Sequence, residues 1–276
     1  MTKLLQYFIC VMGTCLALTA CVREEVKVTT GNVSDSDSDQ RRGSSTSSEA
    51  SKARASAEAH AELAMAYFQR ARLGVALDEA NIAIQSDPTY ARGYLAKGIV
   101  YDVQDLPNQA RPAFDEAGRL APNDPEVGSA YGWFLCAHGQ AQTGFAWLEK
   151  SARNPYNTKP SLAWRNAGAC MQDFLKDEAG SEERFLRAVQ ADPMFVDPQL
   201  RLAGLAYRTQ RYVRAKQFID RVQQLMKTPG PDVLWLAASI EKELGNEDTV
   251  QVYGNRLKKD FPASNEYQYF LQGKFQ

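Results

Sequence analysis

The sequence predicts an all-α superhelical solenoid of about six helix-turn-helix units, and three observations predict it. Asp87-Pro88 and Ala121-Pro122 place helix-ending prolines 34 residues apart, and Asp192-Pro193 follows after about two further periods. From Ala57 onward the composition turns to Ala, Leu, Tyr and charged residues, with no strand signal between the periods. Within each period, small and aromatic residues recur at matching offsets. A repeat of this length marks stacked helical hairpins, each unable to bury its apolar face alone.

The chain begins with a different kind of segment. Leu4 to Leu18 is apolar, interrupted by Gln6 and preceded by Lys3. It falls short of the ~20 residues that span a bilayer as a helix, so residues 1–20 read as a signal peptide. Leu18-Thr19-Ala20-Cys21 has the form of a bacterial lipobox. The small Thr19-Ala20 pair lets a peptidase reach the backbone, and the Cys21 thiol accepts a diacylglyceryl group. Each buried methylene contributes about 0.8 kcal/mol, so two or three acyl chains such as palmitate make attachment effectively permanent. Val22, rather than Asp, follows the cysteine, which in such lipoproteins favours the periplasmic face of the outer membrane. Residues 22–56, with the run Ser34-Asp35-Ser36-Asp37-Ser38-Asp39, lack apolar periodicity. Residues 21–56 are expected to form the lipidated start of a disordered tether, with an r.m.s. span of roughly 30–35 Å.

The units follow in order. Residues 57–90 carry Leu63, Ala64, Tyr67, Ala76, Ala80, Ala83 and Pro88 in the slots that 91–124 fill with Tyr94, Gly98, Tyr101, Ala110, Phe114, Ala117 and Pro122. Gly98 and Ala110 are small where two antiparallel helices approach, Tyr101 and Phe114 fill the space between them, and Pro122 ends the second helix. This is the tetratricopeptide pattern. Residues 125–160 align more loosely through Tyr131-Gly132, Leu135, Gly144 and Leu148. Residues 161–195 align through Trp164, Gly168, Phe185 and Ala188, with one extra residue expected near Glu178-Ala179-Gly180. Residues 196–229 (Leu202, Ala206, Tyr212, Ile219) and 231–264 (Leu234, Ala238, Val250, Leu257) complete six units, and 265–276 is expected to cap the last face.

The residue inventory points away from catalysis. There are two histidines, His60 and His138, and neither lies in an HExxH motif, a Cys/His metal pattern or beside a nucleophile elbow. No cofactor, metal ligand set or small-molecule substrate is indicated, so the reading is not an enzyme. A formal net charge of −1 and the lack of a basic stripe argue against nucleic acid. Function is therefore expected from a surface. Projecting the repeat register puts Met65, Phe68, Leu95, Ile99, Val103 and Trp133, with Asn166 and Phe174, on the groove lined by the first helices. These residues form the expected partner-binding groove for an extended or helical segment.

Of five cysteines, Cys10 and Cys15 leave with the signal and Cys21 is acylated, so Cys136 and Cys170 remain, one repeat period apart. They fall on the first helices of adjacent units, in a compartment that is oxidising. They form either a disulfide locking the third unit to the fourth or two buried thiols too far apart to join.

Asn123-Asp124-Pro125-Glu126 leading into Tyr131-Gly132-Trp133-Phe134-Leu135-Cys136, together with Ala163-Trp164-Arg165-Asn166-Ala167-Gly168-Ala169-Cys170, resembles the type IV pilus biogenesis/stability lipoprotein family (PilF/PilW). Ser129-Ala130 departs from an Asn-rich pair often seen there, and the tether is longer than expected. The resemblance implies a tetratricopeptide-repeat pilotin that binds outer-membrane secretin subunits and promotes their outer-membrane localisation and multimerisation. Its anchor would be Cys21 in the outer-membrane lipid. The alternative is another outer-membrane scaffold of the same fold, serving outer-membrane-protein assembly or activation of a cell-wall synthase.

Overall fold

A computed structural model describes residues 40–275, with side chains from residue 48. The signal peptide, Cys21 and residues 22–39 lie outside the described residues. Thirteen α-helices and one π-helical turn are present, and no strand occurs among the described residues. They are α1 (Gln40–Gln69), α2 (Leu73–Ser86), α3 (Ala91–Val103), α4 (Pro107–Leu120), α5 (Pro125–Ala137), α6 (Ala141–Arg153), α7 (Pro160–Cys170), the π turn (Met171–Leu175), α8 (Glu178–Ala191), α9 (Val196–Arg208), α10 (Tyr212–Leu225), α11 (Pro231–Glu243), α12 (Glu247–Asp260) and α13 (Asn265–Leu271). Consecutive helices pair as six hairpins, followed by α13. The chain divides into two compact units, Met1–Ala130 and Tyr131–Gln276.

Sequence explains where the helices start and stop. Proline occupies the first helical turn of α4, α7 and α11, where its missing N–H leaves no hydrogen bond unmade. The side chain of Asp177 accepts from the Gly180 N–H at the start of α8, and Ser264 accepts from the Tyr267 N–H at the start of α13. Each hairpin turn holds one residue in the left-handed region: Ala71, Asp105, Gly139, Lys176, Gln210 and Gly245. The repeat length is visible in these positions, since 71 to 105 and 105 to 139 are 34 residues each, as is 176 to 210.

In the first unit α1 packs on α2, α3 on α4, and α3 also against α1 and α2. Alanines make these approaches close. Ala64, Ala80 and Ala96 meet in one cluster, and Ala57, Ala61, Ala83 and Tyr90 in another. The ring of Phe114, fully buried, lies 3.0 Å from where a Cβ on Gly98 would stand. A side chain there would displace the ring.

Two expectations need correction in this region. The tether was placed through residue 56, yet α1 starts at Gln40. Ala50, Ala53 and Ala55 favour helix, and the segment is held to α2: Arg54 donates to Asp87 at 2.9 Å and stacks 4.3 Å above Tyr90, while the Ser56 and Ser86 hydroxyls meet at 3.1 Å. An exposed helical extension needs no apolar stripe, so a search for apolar periodicity passes over it. Leu63, taken as a repeat-slot residue, is 43% exposed.

In the second unit the fourth hairpin departs from the period. The two helices of a hairpin start 16 residues apart in α3/α4 and α5/α6, but 18 apart in α7/α8. The extra length is taken up by the π turn and the connection after it, not at Glu178-Ala179-Gly180, which form the first turn of α8. Gly180 packs closely there, and a Cβ would press on the end of the Met171 side chain, 2.2 Å away. Hairpins five and six share a core of Ala203, Ala206, Ile219, Val222, Val233, Leu234, Ala237, Ile240 and Leu257, onto which Tyr267 and Phe270 of α13 pack.

Left-handed backbone costs an L-residue roughly 1–2 kcal/mol that glycine avoids, against a gain in unfolded-state entropy of about 0.4–1 kcal/mol. Gln210, exposed and at φ 57°, should therefore accept glycine with benefit. Gln210→Gly is expected to raise stability by about 0.5–1 kcal/mol, read as a higher urea midpoint with an unchanged slope.

Candidate protein-binding face

Helices α5, α7, α9 and α11, the first helices of their hairpins, carry the polar and aromatic groups of interest in the second unit. The motif from Tyr131 to Cys136 has a packing role at almost every position. Tyr131 lies 5.2 Å from the Trp147 ring, and Phe134 and Leu135 are buried. Gly132 and Gly144 mark the crossing of α5 and α6. A Cβ on Gly144 would meet the Gly132 carbonyl oxygen at 2.4 Å and Cys136 Sγ at 2.7 Å. Beside this crossing a disulfide joins Cys136 to Cys170, with Cα atoms 5.8 Å apart.

The groove residues expected from sequence are mostly not at a surface. Phe68, Leu95, Ile99, Val103 and Trp133 are all buried, Val103 being the most open at 9%. Asn166 is buried too, and Met65 is partly buried against the Ala64 cluster. The cause is geometric. A first helix such as α3 contacts its own partner and both helices of the preceding hairpin, so nine of its thirteen residues are buried. The apolar side chains that looked like a lining form the core. Phe174 alone of the set is open, at 40%, and its ring meets that of Trp133 edge-on at 5.9 Å. The π turn carries it there, consistent with the tendency of such turns to sit at functional positions.

Around Phe174 lies a polar cluster that sequence reasoning missed. Arg165, 3% exposed, makes a forked contact with Asp197: Nε donates to Oδ2 at 2.5 Å and a terminal nitrogen to Oδ1 at 3.1 Å. Arg165 also donates to the Asn166 side-chain oxygen at 3.2 Å. Arg201 donates to Gln172 at 2.9 Å and lies 3.4 Å from Asp173 and 3.5 Å from Asp197. Burial pushes the Asp197 carboxyl upward, but the hydrogen bonds and charge of Arg165, with the charge of Arg201, hold it below the usual carboxylate value. The visible signal was an arginine and an asparagine inside the apolar run Ala163 to Cys170. The carboxylates of such chains usually belong to solvated i, i+4 pairs, which hid this one. Trp164 is also met by cations, with the guanidinium of Arg187 4.8 Å and that of Arg153 5.6 Å from its ring.

The two histidines make ordinary contacts. His60 Nδ1 lies 2.5 Å from Glu79, and the His138 ring packs 4.6 Å from Phe134. Among the described residues no three His, Cys, Asp or Glu groups are placed to hold a metal, and no helix is long and apolar enough to cross a membrane.

Over 213 residues, 77% of this chain and 84% of the relative, the sequence is 25% identical to the type IV pilus assembly protein PilF of Pseudomonas aeruginosa. The chain is homologous to PilF. The solved structure of Pseudomonas aeruginosa PilF superposes with a TM-score of 0.72 at 25% identity, covering 82% of this chain and 99% of that one. PilW, described as a widely conserved type IV pilus biogenesis factor, superposes with a TM-score of 0.71 at 25% identity, covering 78% and 98%. The Cut9 and Hcn1 tetramer of the APC/C, at 13% identity and a TM-score of 0.63, shares the fold. The fold is thus that of tetratricopeptide-repeat proteins. No family model matches the sequence.

A carboxylate held low when folded contributes stability above its unfolded pKa, near 4, and loses it as pH falls through the lower folded value. Asp197→Asn leaves Arg165 buried without its counter-charge, so it is expected to cost about 3 kcal/mol at pH 7. The deficit should shrink below pH 4, as followed by urea unfolding across pH. Reduction of the Cys136–Cys170 bond reopens a loop with a sequence separation of 34. In the chain-entropy model this lowers stability by roughly 3–4 kcal/mol, to be measured as the difference between oxidised and dithiothreitol-treated protein.

Proposed function

We propose that the chain is an outer-membrane lipoprotein pilotin of type IV pilus biogenesis. It is anchored through acylated Cys21, binds secretin subunits on its helical repeats, and promotes their delivery and multimerisation at the outer membrane. What carries this reading is the homology to PilF over most of the chain, joined to near-complete coverage of the solved PilF and PilW structures.

The residues support it at three levels. The lipobox ending at Cys21 supplies the destination. The repeats supply a scaffold on which the π turn presents an open aromatic, Phe174, next in the chain to Gln172 and Asp173, which meet Arg201 of α9. An aromatic anchor bordered by hydrogen-bonding groups is the usual make-up of a protein-binding hot spot. A chaperone of this kind needs no chemical step, because moving a bound subunit requires only grip and address.

Cys21→Ala is expected to leave the folded domain unchanged in circular dichroism but to remove it from outer-membrane fractions. Secretin multimers, resolved by electrophoresis of unheated membranes, should fall at least several-fold. Normal multimers at the outer membrane in this variant would rule the reading out.

A further inference from the structure

Hairpins five and six already hold a short stretch of the chain itself, Lys274 and Phe275. After α13 the backbone turns at Gly273, φ 64°, in the position where helices commonly end in a left-handed glycine. The residues beyond it lie across α9 and α11. The Trp235 indole N–H donates to the Lys274 carbonyl at 3.3 Å, and the Tyr207 hydroxyl donates to the Phe275 carbonyl. Two consecutive main-chain carbonyls are thus read by side chains from two different first helices. Phe275 packs against the shared core, edge-on to Phe270 at 5.8 Å, with the Lys242 ammonium 5.0 Å above its ring.

This contact is distinct from the cap. The cap is α13, whose Phe270 ring fills the space that a Cβ on Gly254 would need, its nearest atom standing 2.1 Å from that point. The residues after α13 also close that helix, the Gly273 N–H donating to the Phe270 carbonyl at 3.0 Å and the Lys274 N–H to the Tyr269 carbonyl at 2.9 Å. Gln272, Gly273 and Lys274 are exposed, and only the Phe275 side chain is partly buried. The segment's contacts with the side chains of α9 and α11 go to its main-chain carbonyls, a form of recognition indifferent to sequence, and one aromatic side chain supplies the selectivity. That division is how extended peptides are generally recognised, and a lysine over the ring favours an aromatic occupant.

We propose that the face formed by Tyr207, Trp235 and Lys242 is a binding site for an extended protein segment bearing an aromatic side chain. The chain's own terminal segment occupies that site as a displaceable competitor. Tethered by a few residues, the segment acts at an effective concentration in the millimolar range, so it excludes weak ligands and yields to a partner that binds more tightly. The inference does not depend on the identity of the partner or on the pilus reading.

The probe is a fluorescein-labelled pentapeptide, Gln-Gly-Ala-Phe-Gln, copying residues 272–276 with alanine in place of the exposed lysine. Its binding to the full chain is followed by anisotropy. Phe275→Ala should bind the probe about tenfold more tightly than the unaltered chain. Adding Trp235→Phe should weaken binding to Phe275→Ala, and a probe with Ala for Phe should not bind either protein. Equal binding to the unaltered chain and to Phe275→Ala, including none to both, would overturn the proposal and leave the segment a structural trim of the cap. A second measurement requires no substitution. Excess unlabelled probe should raise the rate at which trypsin cuts after Lys274 in the unaltered chain by about threefold, seen by mass as loss of the last two residues. An unchanged rate would count equally against displacement.

Discussion

Close approach of helices at residues with little or no side chain is the constraint on which the rest of this structure depends. Gly132 and Gly144 let α5 and α6 cross with backbone against backbone, Gly98 admits the face of Phe114, and Gly168 admits Phe185. Small residues contribute little apolar area of their own, so the stabilisation at each crossing comes from the large ring or disulfide set against them. Cys136 can meet Cys170 because the α5/α6 crossing brings its sulfur to the edge of the hairpin that faces α7. A methyl group on Gly144 would press on that same sulfur. The covalent link and this close crossing therefore share one packed site.

In the second unit charged pairs also join neighbouring hairpins. Arg165 and Asp197 join hairpin four to hairpin five, and so do Arg211 and Arg214 through Glu182, while Lys216 reaches Glu241 between hairpins five and six. A buried ion pair is weak evidence of stability, since desolvation offsets most of its attraction. Its directional hydrogen bonds nevertheless allow only one alignment of neighbouring hairpins. Arg201 extends this network, because the same guanidinium that lies by Asp197 also meets Gln172 and Asp173 of the π turn that carries Phe174.

Much of this was legible in the residues. Prolines 34 apart marked the repeat because proline cannot continue a helix, and the spacing of Cys136 and Cys170 allowed a bridge because one period returns a first helix to its neighbour's side. The groove was not legible. On a helix each residue turns the side chain by about 100°, and a first helix packed on several sides leaves a narrow open stripe. Phe68, Leu95, Ile99, Val103 and Trp133 fall outside that stripe and lie in the core. The extension of α1 back to Gln40 was hidden for the opposite reason, since a serine-rich sequence with almost no large apolar residue has no apolar face to detect.

The sequence by itself determined the class of fold, the period, the chain's resemblance to pilus biogenesis lipoproteins and the expectation of lipid at Cys21. These depend on local chemistry: turn residues, helix breakers, a cleavage motif and small residues at fixed intervals. Only the tertiary structure decided which apolar side chains face outward, that the surplus length of hairpin four becomes a π turn presenting Phe174, and that the last residues fold back onto Tyr207 and Trp235. Those outcomes depend on contacts between residues as much as 68 positions apart, for which no local pattern carries a signal.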